Sequence, residues 1–337
     1  MNSNEEWLLT NKEEALEPNL PICDPHHHLW DFNKTYIEET YLLPDILKDT
    51  ESGHNIVSTV FIECGAMYNP EHSIEEQVIN ETEFVNGIAA MSNSGLYGKT
   101  KIAEGIVGSA PLLFGDKVAN ILDKHISVAP KRFKGIRSQA AMHPDGTIPS
   151  TRARPIEGVY INDMFHQGFA HLEPRNLSFE AWCYHPQLPQ LIQLARKFPN
   201  TSIILNHFGG PLGIGSFTDK EEETYSFWEK HITELSKCEN VVAKLGGIAM
   251  EINGFKWHLN KKAPSGLELI NRTKRYYEKT LDLFGIDRCM FESNFPVDKI
   301  SCSYVNLWNG FKLLTKDYSA EERTKLFHDN ATRIYKL

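Results

Sequence analysis

Short runs of apolar, largely β-branched residues recur along this chain at intervals of roughly 25–45 residues, and longer amphipathic stretches fill the gaps. Eight runs stand out: Leu20 to Asp24, Ile56 to Ile62, Ile102 to Gly108, Phe133 to Ile136, Phe179 to Tyr184, Thr201 to Asn206, Val241 to Leu245 and Arg288 to Phe291. They are apolar throughout rather than in alternation, as strands covered on both faces should be. Between them, residues 116–127, 186–198, 222–237 and 267–284 read as helices. In the second of these, Leu188, Leu191, Ile192 and Ala195 fall at helical spacing. Ser319 followed by Glu322 is a capping-box pattern that opens a terminal helix.

Strands alternating with helices predict an α/β fold, and eight units predict a single (β/α)8 TIM barrel rather than an open doubly wound sheet. No Gly-rich phosphate loop follows the first strand, which argues against the nucleotide-binding sheets. The chain reads as one domain over 1–337, with 1–19 an N-terminal extension. Long loops are expected after strands two, four and seven, at the mouth where barrels meet their substrates.

Composition narrows the partners. The formal charge is -9, with no block of five or more like charges, which points away from nucleic acid and from an anionic membrane surface. No apolar stretch approaches the roughly 18 residues of a membrane span, and the N-terminal residues lack the basic-then-apolar order of a secretory signal. Six cysteines without paired spacing read as reduced thiols, which places the chain in the cytoplasm.

Barrel enzymes work at the carboxyl ends of their strands, so the polar residues there carry the candidate chemistry. The first strand runs into Asp24-Pro25-His26-His27-His28. In an extended segment His26 and His28 face the same side, where two imidazoles hold one divalent ion or jointly polarise a carbonyl. An exposed polar turn is the plainer reading, less apt at the end of a barrel strand. Glu63 follows the apolar run of strand two and needs a cation or a donor if buried. Arg137 ends strand four, suited either to grip a substrate carboxylate bidentately or to pair with Glu63. Tyr184 and His185 end strand five; His207, followed by Gly209 and Gly210, ends strand six. Lys244 sits inside strand seven, a position that reads as structural. Strand eight runs into Glu292-Ser293-Asn294-Phe295-Pro296.

Three elements together, Asp24-x-His26-x-His28-x-Trp30, His207 to Pro211, and Ser293 to Pro296, resemble the amidohydrolase superfamily, in the branch of pyrone-dicarboxylate and sugar-acid lactonases and related decarboxylases. The resemblance covers roughly Pro21 to Leu337. It implies a hydrolase of a small carboxylate-bearing lactone or cyclic ester, with His26, His28 and His207 as ligands of a zinc or manganese ion, or as carbonyl polarisers without a metal. It also implies a small-molecule substrate and a chain that often forms homo-oligomers. The strand-eight position that would hold the general base is Asn294 here, and an amide takes no proton from water near neutrality. Three consequences stand open: Glu63, His185 or Asp298 is the base; the enzyme works without a tightly held metal; or the barrel binds a ligand without turning it over. Arg137, with Arg152 and Arg154 from the fourth loop, would bind the substrate carboxylate, and Tyr184 and Trp257 would line its site. A decarboxylase of the same superfamily is the alternative reaction.

Overall fold

A computed structural model describes residues 4–32, 39–150 and 156–337. Eight parallel strands follow one another in chain order around a barrel: β1 (Pro21–His27), β2 (Asn55–Ile62), β3 (Lys101–Ser109), β4 (Phe133–Arg137), β5 (Ser178–Ala181), β6 (Ile203–Leu205), β7 (Val241–Leu245) and β8 (Cys289–Phe291). Each coincides with one of the eight apolar runs. The barrel closes where the segment after β8 meets β1. There the Asn294 amide donates to His26 O at 3.0 Å and the His28 amide to Phe295 O at 2.8 Å.

The helices form the outer ring. Those expected from periodicity appear as Val118–Val128, Leu188–Lys197, Glu221–Ser236 and Gly266–Phe284, and Ser319 and Glu322 form the capping box at the start of Ala320–Thr324. The longest helix, Ile74–Asn93, has a weaker apolar stripe because its inner face carries buried Glu81 and Thr82 among Val78, Val85 and Ala89. Glu81 earns that place by accepting the amides of Cys64 and Ala66 at 2.9 and 2.8 Å, which shapes the turn after β2. Before the next α-helix, the connections after β4 (138–162) and β7 (246–265) are long as expected. Those after β1 (28–42) and β6 (206–220) exceed the one after β2 (63–73).

Inside the barrel the amino-terminal end is apolar. Cys23, Val60, Ile62, Val107, Ile204, Val242 and Met290 pack against Ala331 and Tyr335 of the helix Asn330–Tyr335, which closes that end. The segment before β1 lies across the outer ring: Trp7 Nε1 donates to Asn260 O at 2.8 Å, and the Leu16 amide to Asn309 Oδ1 at 2.8 Å. No described helix is long and apolar enough to cross a membrane.

Candidate active site

At the carboxyl end of the strands lies a cavity of about 470 Å³. Its walls include His28, Trp30, Arg137, Gln139, Trp182, Tyr184, His207, Met250 and Asn294. Four of the residues expected at the mouth from the strand-end argument therefore face one space from β1, β4, β6 and β8, together with Tyr184 from the end of β5.

Beneath this floor, β8 supplies the carboxylate that the sequence reading passed over. Glu292 is fully buried, with Oε1 2.7 Å from His207 Nδ1 in hydrogen-bond geometry and Oε2 2.7 Å from His26 Nδ1. Its position follows from the pleat. Side chains alternate along a strand, so residue 292 shares the inward face of Met290, and a glutamate there reaches the barrel axis. The chain after β7 makes room for it. A Cβ at Gly246 would lie 2.5 Å from Glu292 Cγ, and one at Gly247 would collide with the His207 ring.

The tautomers follow from partners. His28 Nδ1 is 2.8 Å from the carbonyl of Ile62, which only accepts, so the proton sits on Nδ1 and the Nε2 lone pair is left for the cavity. His207 donates in the same way from Nδ1 to Glu292. His26 lies deeper, its Nε2 3.4 Å from Arg137 Nη1, so Arg137 donates to it. Burial holds all three imidazoles well below their ordinary pKa, and the cations nearby add to this: Lys244 first at His26, Arg137 first at His28 and His207. They are neutral bases near neutral pH. Burial also pushes Glu292 up to about 8, against the pull of Lys244.

Arg137 meets the expectation of a pair with Glu63. Its Nε donates to Glu63 Oε1 at 2.7 Å and its Nη2 to Glu63 O, while Gln139 Nε2 donates to the same Oε1 at 2.6 Å. The guanidinium is thus engaged on three sides, with only its edge on the cavity. Asn294 sits in left-handed backbone (φ 57°), a conformation asparagine tolerates well. Its Nδ2 donates to Asp298 Oδ1 at 2.7 Å. Asp298 is buried, accepts the Ala249 amide on its other oxygen, and is pushed up to about 8.

Other expected residues lie apart. His185 accepts the Leu212 amide at Nδ1 (3.2 Å) and packs edge-on to Phe217 and Phe227, outside the cavity wall. Trp257 borders a small separate void beside Ile248 and Tyr277. Tyr184 reaches the cavity and donates its hydroxyl to Pro149 O at 2.6 Å. Arg152 and Arg154 lie outside the described residues.

The donor set suits a divalent ion. Among the described residues, His26, His207 and Glu292 offer three ligating atoms within 4.8 Å of one another, all buried. Glu292 Oε2 also has no hydrogen-bond donor aimed at it, although His26 Nδ1 is adjacent. Two buried imidazoles with a carboxylate are a common set for zinc.

Comparison with known proteins agrees with this architecture. The uncharacterized protein y4mH of Sinorhizobium fredii is 32% identical over 337 residues, covering 95% of this chain and 99% of its own. An L-fucono-1,5-lactonase of Burkholderia multivorans is 27% identical over 179 residues, 51% of this chain and 56% of its own. An amidohydrolase from Burkholderia multivorans solved with bound zinc superposes with a TM-score of 0.72 at 20% identity, over 94% of this chain and 99% of its own. The amidohydrolase family model matches residues 23–337, nearly the whole barrel, and the chain is an enzyme of that family.

Proposed function

We propose that this enzyme hydrolyses a small lactone or related cyclic ester bearing hydroxyl or carboxylate groups. The observation that carries the reading is the pair of cavity-facing Nε2 lone pairs on His28 and His207, fixed by Ile62 O and Glu292. A neutral imidazole protonated on Nδ1 has no N–H to offer a carbonyl oxygen through Nε2. It accepts a proton from water, or ligates a metal. Direct carbonyl polarisation by these histidines, one of the two roles considered from the sequence, is therefore the weaker assignment.

In this reading His207 takes the proton of the attacking water. Once ionised, at the alkaline end set by its raised pKa of about 8, Glu292 holds the ring in the productive tautomer and stabilises the imidazolium that forms, as the buried acid does in an acid–histidine pair. In the alternative with a divalent ion, His26, His207 and Glu292, with His28 beside them, would hold it and it would supply Lewis-acid polarisation of the ester carbonyl; His207 is then a ligand and not the base. Arg137 places positive charge at the cavity wall, where it favours the developing oxyanion and an anionic substrate. Trp30, Trp182 and Tyr184 give flat apolar walls against which a small ring stacks, and Gln139 and Asn294 supply polar atoms. The L-fucono-1,5-lactonase relative and the zinc-bound structure support a sugar-type lactone and zinc as the first substrate and ion to try. Six free cysteines suit a chain that works in a reducing compartment such as the cytoplasm.

The test is acid release from a panel of aldonolactones, L-fucono-1,5-lactone included, followed with a pH indicator. Ring opening abolished in His207→Ala supports the reading. Release of CO2 from aromatic carboxylates, with no lactone opened, would replace it with the decarboxylase reading.

A further inference from the structure

Barrel interiors are normally filled by layers of branched apolar side chains. Here a column of polar groups runs from beneath the cavity down to the Tyr335 hydroxyl at the apolar amino-terminal end. Lys244 on β7 is fully buried. Its ammonium donates to Pro25 O at 2.8 Å and pairs with Glu180 Oε2 on β5 at 3.0 Å. Toward the cavity it stands 3.4 Å from His26 Nδ1 and 4.0 Å from Glu292 Oε2. Glu180 is held in turn by Asn206 Nδ2 on one oxygen and by the Tyr335 hydroxyl on the other. Tyr335 comes from the helix that closes the far end of the barrel.

An ammonium has three protons. Two of Lys244's are committed to Pro25 O and Glu180, and these two anchors hold its charge beside the contact between His26 Nδ1 and Glu292 Oε2. Glu180 is therefore the group that aims Lys244, and Tyr335 is one of the groups that hold Glu180. Buried ions of this kind are costly to desolvate, and apolar residues of similar size would usually stabilise a core as well or better. Stability alone gives no reason for the column.

We propose that Tyr335 is a positioning residue for the reaction centre, acting through Glu180 and Lys244 on the His26–Glu292 contact from the opposite end of the barrel. This rests on the reading that His26 and Glu292 belong to the site. Without the hydroxyl, Glu180 loses one of its three donors, the one on Oε1, and turns toward Lys244. The ammonium is drawn away from His26, and the geometry above it relaxes.

The experiment compares wild type with Tyr335→Phe, which keeps the ring and its face toward Lys244 and removes the hydroxyl alone. Two readouts are taken: the ¹⁵N resonances of the His26 ring in ¹⁵N-histidine-labelled protein, and kcat and KM on whichever lactone of the panel is opened. The expected result is a displaced His26 signal with His125 unmoved, and a kcat lowered about tenfold at unchanged KM. In a Lys244→Met background the same substitution should add nothing to the change in kcat. Unchanged His26 resonances with unchanged kcat in a folded Tyr335→Phe protein overturn the proposal. If no lactone is opened, the reading of function fails, and the His26 resonances still decide the relay. Should Tyr335→Phe fail to fold, Glu180→Gln, which keeps an acceptor for Tyr335 and removes the charge opposite Lys244, is expected to shift the same His26 signal.

Discussion

Glu292 Oε1 stands 2.7 Å from His207 Nδ1, and this contact decides which nitrogen the histidine turns to the substrate. An amide in place of the carboxylate could donate to Nδ1 and reverse the tautomer. Glu292→Gln should therefore lower kcat by about 100-fold or more while the far-ultraviolet circular dichroism stays unchanged. A steady-state assay on the best lactone checks it; activity within twofold of wild type would leave Glu292 a core residue only.

His26→Ala and His207→Ala should each reduce turnover by orders of magnitude without unfolding the barrel, since both side chains hang from the strand ends rather than from the packed outer ring. Melting curves and kcat on the same preparations separate the two effects. Full activity in both variants would remove the histidine cluster from the mechanism.

Asn294→Asp tests whether the missing acid can be restored. The new carboxylate would face Asp298 across a 2.7 Å contact now made by the amide. Two buried acids at that distance share one proton. The variant should melt several degrees below wild type at pH 8, where both tend to ionise, and less so at pH 6, where one proton is kept.

Elemental analysis of protein purified without chelators should find about one zinc or manganese per chain, and dialysis against a chelator should abolish lactone opening if the ion is used. Glu292→Gln should lower the zinc content under the same washing. Full activity with no ion would assign the base role to His207 and Glu292 acting alone.

Acid should weaken the fold through histidines far from the chemistry. His125 is fully buried, its Nε2 donating to Ser109 O and its Nδ1 accepting from Thr82, both at 2.9 Å. Burial lowers it to about 4, as it lowers His54 and His185 to about 4. Between the usual imidazole value near 6.5 and about 4, the unfolded chain binds protons that the folded chain does not, so stability falls as pH drops through that window. Each such histidine contributes on the order of 1–3 kcal/mol. Urea unfolding at pH 7.5 and 5 should show the loss, and His125→Gln should reduce the difference.

The barrel was legible because its strands are short, largely apolar runs, and a count of eight leaves little else for a chain of this length. The wall of the candidate site was legible at several polar residues that follow such runs, His28, Arg137 and His207. Glu180 and Lys244, inside β5 and β7, and Glu292, directly after β8, were harder to read, because a charge there looks the same whether it faces the axis or the outer ring. The usable signal was parity: residue 292 shares the face of Met290, whose neighbours are all axial. His185 follows its strand as the others do, yet the turn 185–187 swings its ring outward against Phe217, which no local pattern discloses.

The closing seam of the barrel has a consequence for how activity arises during folding. The His26 ring meets Glu292 only once the segment after β8 has docked, and the Ser293–Asp24 contact there joins residues 269 positions apart in the chain. Contacts of such separation form late, after helices and local βα units have condensed. In refolding from denaturant, helical signal should return well before catalysis does. A chain stalled with seven strands paired would be compact, largely helical and inert, which makes turnover itself the most stringent reporter that the last strand has found the first.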